Sequence, residues 1–101
     1  MEWTASNVKG FCGKQLLGMD NGSVKLVRVE PQSDYPLNRH PDKTEYAYVV
    51  DGNLEFTIDN EAYHGAPGDF FIFLAMIMYA IHNRTNEPGT LLVGAIIETK
   101  Q

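Results

Sequence analysis

Cysteine is almost absent: Cys12 is the single one in 101 residues. An intramolecular disulfide is therefore impossible, and a thiolate zinc site is excluded. In the small apolar slot Phe11-Cys12-Gly13 it is expected to be a buried core residue, with no histidine nearby in sequence to activate it. Basic residues are also few. Eight Lys and Arg, scattered singly, stand against thirteen Asp and Glu, for a net charge of -5. A nucleic-acid binder needs a clustered basic face to displace counterions from phosphates, and an anionic membrane surface asks for the same. No nucleic-acid and no membrane partner is expected. Long apolar runs are missing too: the longest, residues 70–81, has 12 residues, against the ~20 that a membrane-spanning helix needs. Met1-Glu2-Trp3-Thr4 has neither the basic start nor the apolar stretch of a signal peptide. A reducing, cytoplasmic setting is the expectation.

Helix signals are equally scarce. The stretch up to Gly18 carries Gly10, Gly13 and Gly18, which would weaken any helix there. What is present instead is a succession of short β-type segments, punctuated by turn residues about every ten positions, the spacing of a sandwich or barrel. Asp20-Asn21-Gly22-Ser23 can supply the positive φ of a tight hairpin. Residues 23–30 form a β-branched strand stopped by Pro31, and residues 46–50 form another, ended by Asp51-Gly52. Leu54, Phe56 and Ile58 alternate with Glu55 and Thr57 before Asp59-Asn60 turns the chain, and residues 91–97 make the last strand. With 44% hydrophobic and 21% charged residues the chain is an ordinary folded globule. Its length suits one domain, expected over residues 1–101, that buries roughly two-thirds of its unfolded surface. Residues 70–81 are too long for one strand and lack a helical polar face. Two buried strand segments joined by a bend near Leu74-Ala75-Met76 is the preferred reading. A buried helix is the competing one, since periodicity does not separate them.

Chemistry concentrates around His40. In an extended segment residues two apart face one side, so Asn38 and His40 point together, and the loop after His40 returns the chain so that Glu45 joins them from the next strand. Imidazole, carboxylate and amide oxygen converging inside a barrel would make a metal or acid–base site.

His40, a four-residue gap, Glu45, a six-residue gap and Gly52 resemble the first motif of the cupin superfamily. After a fifteen-residue gap, Gly68-Asp69 resembles the opening of the second motif, and the family spacing from there reaches its closing Asn at Asn83. The resemblance covers residues 23–97. It implies an all-β fold, the jelly-roll or double-stranded β-helix barrel, and a metal held by a His-x-His pair, a Glu and one further His. The departures are specific. The first motif's opening Gly falls on Gln32 and its first His on Asn38; in the second, the expected Pro, Gly and His fall on Leu74, Met76 and Tyr79. Of the four implied ligand positions, only His40 and Glu45 keep the family residue.

A neutral amide is a weaker donor than imidazole for Zn, Ni or Cu. A phenol with an ordinary pKa near ~10 ligates well only when deprotonated. The leading expectation is thus a cupin-like small-molecule-binding protein with a degenerate, metal-poor site and no cofactor. Its catalytic candidates are His40, Glu45 and Tyr79; its ligand-binding candidates are Asn38, Met76 and Ile77. The alternative is a metal-dependent cupin enzyme of dioxygenase, isomerase or decarboxylase type, with Asn38, His40, Glu45 and Tyr79 holding iron or manganese. A third is metal-free acid–base catalysis, with His40 as base and Tyr79 as proton donor. Alternation from Tyr79 sends His82 outward; His64 is read as a solvated strand-end residue and Arg39 as a solvated charge. Short barrels gain stability by pairing, so a homodimer is also expected.

Overall fold

Alternation between apolar and polar positions decides which side of each strand meets the core, and the turns decide where strands begin. In the computed structural model, which describes residues 3–97, the outcome is ten strands. They are β1 (Thr4–Ala5), β2 (Phe11–Met19), β3 (Gly22–Val29), β4 (Ser33–Asn38), β5 (Lys43–Asp51), β6 (Leu54–Ile58), β7 (Glu61–Gly65), β8 (Phe70–Phe73), β9 (Tyr79–Asn83) and β10 (Gly89–Ile97). No helix occurs among the described residues. The strands form two antiparallel sheets, one of six in the order β1-β2-β3-β10-β5-β8 and one of four in the order β4-β9-β6-β7. Together they make a jelly-roll-like sandwich, as expected from the sequence.

Local chemistry explains the turns. Asp59 and Asn60 both adopt left-handed backbone, with φ of 51° and 69°, so Ile58 pairs directly with Glu61. Short polar side chains tolerate that geometry, which matches the twist of a two-residue hairpin. The Asp20-Asn21 turn is different: Met19 pairs with Gly22, yet neither turn residue has a positive φ. The left-handed turn expected there is not used, and a register shift between Gln15 and Leu17 accommodates the twist instead.

Residues 70–81 divide as two strands, β8 in the larger sheet and β9 in the smaller, with residues 74–78 bending between them. The helical alternative is therefore excluded. The expectation that both segments are buried needs correction. Phe73, Tyr79, Ala80 and Ile81 are buried, whereas Phe70, Ile72, Leu74 and Met76 are exposed. Alternation along β8 turns Phe71 and Phe73 to the core and Phe70 and Ile72 to the outer face, and Leu74 and Met76 lie on the bend.

Between the sheets, Val29, Val49, Leu54, Phe56 and Leu91 are fully buried, and Phe71 stacks on Phe56 at 4.4 Å between ring centroids. Asn83 is the buried polar member. Its amide nitrogen donates to the carbonyls of Val29 (3.1 Å) and Glu87 (2.8 Å). Its amide oxygen accepts from the backbone and the hydroxyl of Thr85 (3.0 and 2.8 Å). It ties β9 to β3 and shapes the turn into β10.

Candidate functional site

Inward alternation on β5 buries Glu45 beside Ala47 and Val49, and on β9 it turns Tyr79 and Ile81 toward the same interior. The Tyr79 hydroxyl donates to Glu45 Oε1 at 2.5 Å, a short bond of the charge-assisted kind. His40 closes a triangle: its Nε2 lies 3.2 Å from the Tyr79 hydroxyl and 3.1 Å from Glu45 Oε1. His40 itself follows β4 and is fastened by its carbonyl, which accepts the Met76 N–H at 2.8 Å. Phe73 stacks on the Tyr79 ring at 4.3 Å and 6°, fixing its plane. Burial, then the hydrogen bond to Glu45 and the charge of that carboxylate, push the Tyr79 phenol well above its ordinary range, with Asn38 acting in the opposite sense. Tyr79 is thus held as a neutral proton donor. Lys43 Nζ stands 4.0 Å from the other oxygen, Glu45 Oε2.

Glu45 and Tyr79 form the polar end of a cavity of about 210 Å³. Phe11, Val27, Phe73, Ile81 and Val93 make its apolar wall, and Tyr35 completes it with a phenol. Phe11 meets Tyr35 edge to face at 5.3 Å. Among the described residues the Tyr35 hydroxyl has no hydrogen-bond partner, leaving it available to a ligand; burial and the Glu45 charge raise its pKa. Ser6, Asn7 and Val8 border the cavity from the loop before β2, and Lys25 borders it from β3. That loop is closed by Ser6, whose hydroxyl accepts from the Val8 N–H at 2.9 Å, while the Ser6 N–H donates to the Phe11 carbonyl at 3.0 Å.

The sequence-derived candidates separate into two groups. Glu45, Tyr79 and His40 come together, although His40 backs the other two and does not line the cavity. Asn38 also stays off the cavity wall: its amide nitrogen donates to the carbonyls of Pro36 (2.9 Å) and Tyr79 (3.4 Å). Met76 and Ile77 lie on the bend between β8 and β9 and do not reach the cavity, because Met76 turns outward, half exposed, on a left-handed backbone. Cys12 is half-buried at the cavity border, not in the core. His82 faces the opposite side of its sheet, its Nδ1 2.7 Å from Asp34 Oδ1; His64 and Arg39 are exposed. Tyr35, Lys25 and the loop of residues 6–8 are the cavity residues that sequence reasoning missed. Only the alternation of Val27 and Val29 with Lys25 along β3 hinted at an inward lysine.

A transition metal of the kind the motif resemblance implies would need donors converging from positions 38, 40, 45 and 79. Asn38 only offers a neutral amide oxygen, its nitrogen being turned to backbone carbonyls, and the Tyr79 hydroxyl directs its proton at Glu45, with His40 Nε2 against the same two oxygens. Among the described residues no three His, Cys, Asp or Glu side chains gather where an ion could sit. As arranged, these donors do not fit iron, manganese or zinc.

Two antiparallel sheets enclosing a pocket with one polar end define a jelly-roll container. A family model described as Cupin domain matches residues 25–94, and the chain belongs to that family. It is 29% identical over 94 residues to germin-like protein 1-1 of Oryza sativa subsp. japonica, covering 88% of this chain and 42% of that protein. The chain thus spans less than half of that relative's length. Among solved structures it resembles a sugar phosphate isomerase of the cupin superfamily from Silicibacter pomeroyi, with a TM-score of 0.80 at 28% identity, over 90% of this chain and 62% of that one. KdgF from Halomonas sp. superposes with a TM-score of 0.87 at 16% identity, over 99% of this chain and 89% of that one, a likeness of fold.

Proposed function

We propose that this cupin domain binds a small organic molecule in its interior cavity and does so without a transition metal. The observation that carries the reading is the Tyr79 hydroxyl, which lies between Glu45 and His40 and bonds to both. A phenol in that place supplies a proton where a metal-binding imidazole would supply a lone pair. The ligand the cavity suits has an apolar body, packed against Phe11, Val27 and Ile81, and a hydrogen-bonding group that reaches Glu45 or Tyr35. At about 210 Å³ the space falls below the ~300–1,000 Å³ of sites for drug-sized molecules, so the ligand is small.

The test has two arms. Protein purified from metal-replete medium is analysed for transition metals, with well under one equivalent per chain expected. Near one equivalent, lost on His40→Ala, would refute the metal-free reading. Phenol, benzoate and cyclohexanol are then titrated while amide resonances are followed. Saturable shifts confined to cavity-lining residues such as Tyr35, Val93 and Ile81 support ligand binding. If none of the three moves those resonances, the binding reading fails.

A further inference from the structure

Charge on the cavity wall is unevenly answered. Glu45 is already served: the Tyr79 hydroxyl and His40 Nε2 lie on its Oε1, and Lys43 Nζ stands 4.0 Å from its Oε2. Lys25 is not. It shares a face of β3 with Val27 and Val29, opposite Val93 of β10 and Gln15 of β2, and so lines the cavity from the six-stranded sheet. Gly13, opposite Val27, leaves that wall bare beside it. The Lys25 Cδ lies 3.9 Å from where a Cβ on Gly13 would stand, so the lysine stem runs over the glycine. The chain has thirteen Asp and Glu, yet among the described residues the Lys25 side chain forms no ion pair and no hydrogen bond. Arg28, Lys43 and Arg84 do pair with carboxylates, and Lys14 lies over the Trp3 ring. On the four-stranded sheet facing Lys25, the Tyr35 hydroxyl is likewise without a partner among the described residues.

We propose, resting on the reading of this cavity as a ligand site, that the ligand is a small monocarboxylic acid bound as its anion. Its carboxylate is received by the Lys25 ammonium and the Tyr35 hydroxyl, and its apolar body packs against Phe11, Val27 and Ile81. The free groups decide the class. Lys25 and Tyr35 both present protons, and one of them is charged, so the complementary ligand group is an anionic acceptor. A neutral alcohol or amide would leave the ammonium unanswered. The flexible four-carbon stem lets the ammonium follow the carboxylate, so the lysine needs no fixed partner to serve here. One charge is the limit. Lys25 is the one basic residue lining the cavity among the described residues, and the Glu45 carboxylate on the same wall repels further negative charge. A phosphate monoester, with about -1.5 to -2 charges at neutral pH, is therefore disfavoured.

Pairs of compounds alike in shape and different in charge test this: benzoate against benzamide, and cyclohexanecarboxylate against cyclohexanecarboxamide. Each is titrated into the full chain at neutral pH and low salt, with amide resonances followed at Tyr35, Val93 and Ile81. Each anion is expected to bind at least about tenfold tighter than its amide, the effect of one charge-assisted hydrogen bond. Raising the salt should shrink that advantage, because Lys25 is exposed. Lys25→Met keeps the stem and removes the charge, so it should abolish the preference, whereas Lys25→Arg should keep most of it. Should Lys25→Met fail to fold, the anion advantage in wild type and its salt dependence carry the test. Amides that bind as tightly as the anions, or a preference that survives in folded Lys25→Met, overturn the carboxylate assignment and leave the cavity a ligand site. Phenyl phosphate binding tighter than benzoate overturns it too, in favour of a phosphate ester. No shift at those residues with any of these compounds, or with cyclohexanol, overturns the ligand-site reading along with it.

Discussion

Replacing Tyr79 with Phe removes one oxygen atom and with it both bonds that link β9 to Glu45 and His40. The ring keeps its stack on Phe73, so packing changes little and the effect isolates the hydroxyl. A hydrogen bond to a charged acceptor contributes about 1.5–3 kcal/mol, and loss of the donor leaves a carboxylate that is only 10% exposed short of a partner. His40 remains beside Glu45 and offsets part of the loss, so the net destabilisation is about 2 kcal/mol. For a domain of this length that corresponds to a fall in Tm of roughly 8–16 °C. Urea unfolding of wild type and variant, with equal slopes as the check on two-state behaviour, measures it. Tyr35→Phe is the internal control: the Tyr35 hydroxyl has no partner among the described residues, and its removal should cost less than about 0.5 kcal/mol. Combining Tyr79→Phe with Glu45→Gln should recover a coupling of about 1 kcal/mol or more. A Tyr79→Phe variant as stable as wild type, or a cycle with no coupling, would refute the triad as a cohesive unit.

Alkaline pH should act on the same group. The folded phenols of Tyr79 and Tyr35 are raised above their unfolded value, so the unfolded chain releases those protons first. The stability they contribute is fully present below about pH 10 and is lost as pH rises beyond it, and urea midpoints at pH 9 and 11 should fall less steeply in Tyr79→Phe than in wild type. Met76 has a φ of 73°, and glycine there relieves left-handed strain of about 1–2 kcal/mol against an entropic cost of about 0.5–1 kcal/mol. Met76→Gly should therefore raise stability slightly in thermal unfolding. Gln32 has a φ of 57°, but its side chain donates to the carbonyls of Arg84 (3.1 Å) and Thr85 (2.9 Å), so Gln32→Gly should give no gain or a loss of about 1 kcal/mol. Asn83→Ala removes four hydrogen bonds from a buried site and should cost about 3–4 kcal/mol in urea unfolding, enough to leave the domain marginal.

Strand positions were legible in the sequence where one face is polar and the other apolar, as in residues 54–58, because a period of two admits one register. The motif spacing was legible for a backbone reason. All four positions that the resemblance assigns to glycine, now Gln32, Gly52, Gly68 and Met76, have left-handed φ, although two have lost the glycine. The turns outlasted the residues that usually make them. Four features escaped. β2 contains a register shift and exposes Leu16 and Leu17, so its pattern does not alternate and its glycines suggested only the absence of helix. The apolar residues of β8 that face outward look, in sequence, the same as those facing in. The cavity wall escaped because Lys25 meets Val93 only through the pairing of β3 with the distant β10, and Tyr35 faces them from the other sheet. Met76 and Ile77 lie off the cavity wall, on a bend where Met76 turns outward.

The alternation along β5 means that the segment 44–50 is read twice. Glu45, Ala47 and Val49 face the interior, Glu45 at the cavity and the other two in the core, while Tyr46, Tyr48 and Val50 face outward. A substitution at an even-numbered position changes what the domain presents to its surroundings and spares the chamber; one at an odd-numbered position does the reverse. Ligand preference and outer surface are therefore free to diverge separately by point changes. A single-residue insertion or deletion within 44–50 has no such freedom, since it would bring a tyrosine inside and put the carboxylate outside in one step.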